Sequence, residues 1–137
     1  MNKKGIRLIF AVISVCAMAM SVWAKKFALT ASHAVPAATG TVETHLDKNG
    51  NTAVDIKVHH LARPANLTPP ATVYIVWFQQ SGSEPQKEAE LKVSDNLDGE
   101  LKTTTQWKTF DLIISAESDP AAKLPSDNQV MRTSIRD

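Results

Sequence analysis

Residues 41–59, TVETHLDKNGNTAVDIKVH, decide how the rest of the chain is read. Val42, Thr44 and Leu46 alternate with Thr41, Glu43 and His45; Asp47, Lys48, Asn49, Gly50 and Asn51 follow, with Asn-Gly at the centre; then Val54, Ile56 and Val58 alternate with Asp55, Lys57 and His59. Successive side chains of a strand leave opposite faces, so this period suits antiparallel strands with one face covered, whereas a helix would mix the two sets. The stretch predicts a β-hairpin.

Downstream, residues 60–70 hold Pro64, Pro69 and Pro70, which forbid regular pairing and predict a crossing from one sheet to another. Residues 71–78, ATVYIVWF, follow as the most apolar run after residue 24. Their β-branched and aromatic content predicts a central strand covered on both sides, with Val73, Ile75 and Trp77 facing one way and Tyr74, Val76 and Phe78 the other. After the loop 79–85, Ala89, Leu91 and Val93 alternate with Glu88, Glu90 and Lys92, and residues 96–99 turn the chain. Leu101 with Thr103, Thr104 and Thr105 gives a polar strand or edge. Residues 109–116, TFDLIISA, read as a second core strand with Phe110, Leu112 and Ile114 on one side; residues 117–128 read as a surface connection and residues 129–135 as a short last strand. Upstream, residues 27–32 read as the first strand and residues 36–40 as a connection. Short strands between turn signals, with no helical period, predict an all-β fold: an immunoglobulin-like β-sandwich of about seven to eight short antiparallel strands. A small barrel is the rival architecture.

The N-terminal residues carry a different message. Lys3, Lys4 and Arg7 precede an uncharged run over residues 8–20, LIFAVISVCAMAM, and Ala24 closes a short segment before Lys25. This is the layout of a secretory signal peptide over residues 1–24, cleaved after Ala24, with an earlier cut near Ala19 as the alternative. The apolar run falls short of the roughly 20 residues that cross a bilayer as a helix, so no stable membrane span is expected after cleavage. Cys16 offers lipidation as a further alternative, with Val15 a poor fit before it. Residues 25–137 then form a single domain. It keeps 12 basic against 14 acidic residues, a charge of −2 with histidines neutral, and no basic cluster that would neutralise phosphates, so no nucleic-acid partner is expected. Cys16 is the only cysteine, so the exported domain relies on its apolar core instead of disulfides, and thiol chemistry is excluded.

An ordered set of motifs adds a resemblance. Residues 73–77 (VYIVW), Pro85, residues 89–93 (AELKV), Gly99, the threonine run, residues 110–117 (FDLIISAE) and residues 125–131 (PSDNQVM) resemble the C-terminal extracytoplasmic domain of bacterial anti-sigma-K factors and related small exported bacterial proteins. The likeness spans about residues 71–131. It implies a fold and an extracytoplasmic compartment. Sigma-factor inhibition is not implied, since no cytoplasmic sigma-binding segment precedes the apolar run, and Ser118-Asp119 stand before Pro120 where that family often has proline directly.

Catalytic motifs are sparse. His59 and His60 are adjacent and leave opposite faces of a strand, and counting outward from Asn49-Gly50 pairs His45 near Ala53 or Val54, far from His59. Asp95, Asp98 and Glu100 could offer oxygen ligands to a hard cation, although their spacing is not that of a helix-flanked calcium loop. No G-x-S-x-G is present, and Glu88, Glu90, Asp95, Asp111 and Glu117 fall mostly on the polar faces of alternating strands. Trp107, between Gln106 and Lys108 and near Thr103 and Thr105, could present a flat ring beside hydroxyls to a glycan or protein, or cap the open end of the core. The sequence therefore predicts an exported, non-enzymatic, cofactor-free module of the cell envelope acting through a protein partner, in the periplasm or outside the cell. A small-ligand or carbohydrate-binding module using Trp107, Thr103 and Thr105 is the alternative.

Overall fold

A computed structural model describes residues 23–136, so the expected leader and its expected cleavage sites lie outside the described residues except for Trp23 and Ala24. The described chain forms nine strands: β1 (Lys25–Ala28), β2 (Thr30–Ala31), β3 (Thr39–Leu46), β4 (Thr52–His59), β5 (Val73–Gln79), β6 (Gln86–Leu91), β7 (Gly99–Thr105), β8 (Phe110–Glu117) and β9 (Gln129–Ile135), with one 3₁₀ turn at Pro64–Asn66. They make two antiparallel sheets, β1-β3-β4-β7 and β2-β9-β8-β5-β6. The protein is a two-sheet β-sandwich.

The hairpin holds the predicted register, with Val42 opposite Ile56, Thr44 opposite Val54 and His45 opposite Ala53. Its loop is tied by Asp47, whose Oδ1 accepts from the N–H groups of Asn49 and Asn51, both at 2.9 Å. Gly50 takes φ +79°, a conformation that side chains disfavour. The proline-bearing connection after β4 crosses between sheets, as predicted. Tyr74 secures it by donating its hydroxyl to the Ala62 carbonyl at 2.7 Å.

Val42, Val54, Ile56 and Val58 of one sheet pack between the layers with Tyr74, Val76, Phe78, Leu112, Ile114 and Val130 of the other. This is why the alternation was so regular: one side of each strand meets the opposing sheet, and burying one such side chain is worth about 1.5–3 kcal/mol. β5 is covered on both faces, since Ile75 and Trp77 on its outer side are as fully buried as its inner residues.

Two segments differ from the sequence reading. The expected first strand is two, because the chain leaves one sheet for the other at Leu29, whose N–H bonds the Gly40 carbonyl at 2.9 Å. Gly40 permits that crossing: a Cβ there would lie 2.7 Å from Val58 Cγ1 and 2.8 Å from Leu29 Cδ1. The expected surface connection over residues 117–128 is partly structural. Glu117 belongs to β8 and is buried, and the segment beyond it folds over the outer face of the second sheet, where Ala122 packs against Ile75, Trp77 and Ile113.

Candidate functional site

The polar side chains of the two outer faces are arranged very differently. On the β1-β3-β4-β7 sheet the charges pair within their own surface: Lys26 with Glu43 at 3.6 Å, Lys57 with Asp55 at 3.9 Å and Lys102 with Glu100 at 3.7 Å. Exposed pairs of this kind contribute little stability and leave a balanced, hydrated face.

The residues weighed as cation ligands do not converge. Asp98 Oδ1 meets His59 Nδ1 at 3.0 Å, Asp95 reaches Arg63 at 3.4 Å, and Glu100 lies beside Lys102. With the Leu61 N–H to Leu97 carbonyl bond at 2.9 Å, the first two pairs fasten the β4–β5 corner to the β6–β7 turn. Among the described residues no three histidine, cysteine or acidic side chains form a metal-binding group.

Thr103, Thr105 and Trp107 are brought together at the seam between β6 and β7. Thr103 and Thr105 face inward at the sheet edge, opposite Val54 and Thr52. Thr103 donates to Glu88 at 3.5 Å, and Thr105 Oγ1 accepts from the Trp107 N–H at 3.2 Å. Burial pushes the Glu88 carboxyl above its usual range, with the Thr103 hydrogen bond pulling the other way. The Trp107 ring is half-buried against the core, its centroid 6.5 Å from that of Phe110. Much of the ring is thus committed to closing the end of the sandwich.

The outer face of the second sheet holds two polar groupings that alternation on β8 creates. At one end, Trp77 Nε1 donates to Ser115 Oγ at 2.7 Å, and Ser115 Oγ donates to Glu117 Oε1 at 2.8 Å. The same carboxylate oxygen accepts the Ser126 N–H at 2.7 Å, pinning the far end of the covering segment, while Lys87 holds its near end through the Pro120 carbonyl. Buried polar atoms need partners, and this chain supplies them around the indole.

At the other end, Asp111 gathers three donors: Ser134 Oγ at 2.7 Å and Arg136 at 3.1 Å on Oδ1, and Arg132 at 3.0 Å on Oδ2. Burial would raise the Asp111 carboxyl, but the hydrogen bonds from Ser134, Arg132 and Arg136 together outweigh it and hold the group below its ordinary range. This cluster borders an open groove of about 550 Å³ lined by residues 30–32 and 129–134, where β2 runs beside β9. The sequence reading weighed Asp111 only as one carboxylate among five. The signal was present in QVMRTSIR, where Arg132, Ser134 and Arg136 alternate with Met131, Thr133 and Ile135, but which neighbour would meet them needed the strand order.

The architecture defines the class, an antiparallel two-sheet β-sandwich. No family model, no curated relative and no solved structure matches the chain. Among the described residues no helix is long and apolar enough to cross a membrane.

Proposed function

We propose that the protein is an exported, non-enzymatic β-sandwich that works through contacts with another protein of the cell envelope. The observation that carries this reading is the way ionisable groups are used. Glu43, Asp55, Asp95, Asp98 and Glu100 each answer a basic neighbour on their own surface, and Asp111 is saturated by three donors. General acid-base and nucleophilic catalysis instead require poised groups converging on a shared reacting atom. The leader-like start supports an extracytoplasmic destination, as does the resemblance of residues 71–131 to anti-sigma-K extracytoplasmic domains.

The immunoglobulin-like assignment rests on strand order. With β3, β4, β5, β7, β8 and β9 taken as strands A, B, C, E, F and G, one sheet reads A-B-E and the other C-F-G, the order of an antibody-type constant domain without its strand D. β6 extends the second sheet beside C, and β1 and β2 are additions at the far edges.

In vivo crosslinking of the tagged full-length chain, followed by capture from the envelope fraction, tests the reading. A reproducible crosslinked partner absent from the untagged control is expected. Labelling that stays in the cytosol, or an envelope fraction with no partner above control, contradicts it.

A further inference from the structure

We propose that residues 118–128 form a strap that opens as a unit, uncovering Ile75, Trp77 and Ile113 while both sheets stay paired. This goes beyond the protein-contact reading and does not rest on it.

The sequence sets the strap apart from the strands on either side. Pro120 and Pro125 have no N–H to give to a ladder, and Ser118, Asp119, Ser126 and Asp127 are turn formers. The segment accordingly adds no strand to the sheet it crosses. Its middle is closed on itself: Asp119 accepts the Ala121 N–H on Oδ1 at 2.9 Å and the Ala122 N–H on its carbonyl at 3.1 Å. A turn that satisfies its own backbone can move without leaving those groups unpaired.

Its hold on the sheet is confined to the two ends. Lys87 of β6 reaches the Pro120 carbonyl. At the other end Ser126 donates its N–H to Glu117 and its hydroxyl to the Ala116 carbonyl, and the Ala116 N–H reaches the Asn128 carbonyl at 2.9 Å. Between these ties, among the described residues, no hydrogen bond joins residues 121–125 to the sheet. The apolar grip is that of Ala122, because Leu124, the largest apolar side chain of the segment, is 51% exposed. A leucine turned to water does little to keep the strap closed.

What lies beneath does not depend on the strap for its pairing. Ile75, Trp77 and Ile113 form an apolar cluster separate from the one between the sheets. The β5–β8 ladder runs from Val73 opposite Glu117 to Gln79 opposite Asp111, and the β8–β9 ladder from Phe110 opposite Ile135 to Ser115 opposite Gln129. Neither uses a residue of the strap. The Trp77 indole bonds Ser115, itself a strand residue. Opening therefore breaks the end ties and wets one outer cluster, whereas unfolding must also break the interior. Segments with few buried apolar contacts open locally at a lower free energy than the whole domain.

Hydrogen exchange of the full-length chain in a urea series, read by NMR at the Trp77 indole N–H and at the backbone N–H groups of Ile113 and Ile114, tests this. Relative to intrinsic rates, the indole is expected to exchange at least about tenfold faster than the two amides, at a rate nearly flat in urea below the transition, as a local opening does. The amides should accelerate with urea as global unfolding does. Lys87→Met removes the tie at Pro120 and should speed the indole further, with the melting temperature near that of the parent. Thiol labelling gives a second readout in a Cys16→Ser background: Ile113→Cys, under the strap, should react faster than Ile114→Cys, which faces the interior. An indole that waits for global unfolding, equal labelling of the two cysteine variants, or Lys87→Met without effect on the indole would overturn the proposal. Should either cysteine variant fail to fold, indole exchange in the parent chain decides by itself.

Discussion

Tyr74 is the only tyrosine in the chain, so its ionisation can be followed by absorbance without ambiguity. Burial pushes its phenol from 10.0 up to about 12, and the neutral hydroxyl donates to Ala62. A raised pKa in the folded state means that the stability tied to this proton is complete below pH 10 and lost as pH climbs toward 12. An ultraviolet titration should show the tyrosine ionising late, together with unfolding. A Tyr74→Phe variant should lose about 1–3 kcal/mol at neutral pH, because the Ala62 carbonyl is left without its partner, and should shed that alkaline sensitivity. Asp111 has the opposite sign. Its carboxyl is held below 3.8, so its contribution is present above that value and lost as pH falls through the lower folded value. Asp111→Asn should therefore flatten the acid limb of a stability-pH curve measured by urea unfolding. Glu88, pushed up by burial, works against Asp111: its contribution is present below 4.5 and lost as pH rises through its folded value.

Among the elements, the segment over residues 118–128 departs most from its sequence reading. It replaces a third layer, covering Ile75, Trp77 and Ile113 with little apolar material of its own beyond Ala122. The polar chain from Trp77 through Ser115 and Glu117 to Ser126 should therefore carry much of its attachment. Glu117→Ala should cost about 1–3 kcal/mol through the donors it strands. It should also move tryptophan emission to the red as water reaches Trp77; an unchanged spectrum with unchanged stability would contradict this role. The run VYIVW announced that both faces of β5 are covered, since an unbroken apolar strand has no solvent side. What covers the outer face was not legible, because SDPAAKLPSDN has no period and its placement depends on contacts distant in sequence. The hairpin was legible down to the pairing of His45 with Ala53 because alternation and turn chemistry are both local. The switch at Leu29 was not: FALTAS has the same local pattern whether its strand stays in one sheet or divides between two. The Asp111 cluster was hidden for a related reason, since its arginines arrive from a strand that only the sheet order makes a neighbour.

For the molecule as a whole, the closed apolar interior and the hydrated rim have separate consequences. The interior explains how a domain without cysteines can hold together, with β5 and β8 at the centre of the larger sheet and buried through nearly their whole length. The rim is the part that the proposed partner would reach. Native-state amide hydrogen exchange reads both at once. The account predicts the slowest exchange at Ile75, Val76 and Trp77 of β5 with Ile113 and Ile114 of β8, and much faster exchange in the turns at the rim, such as residues 47–51 and 80–85. Exchange in β5 as fast as in those turns would contradict it.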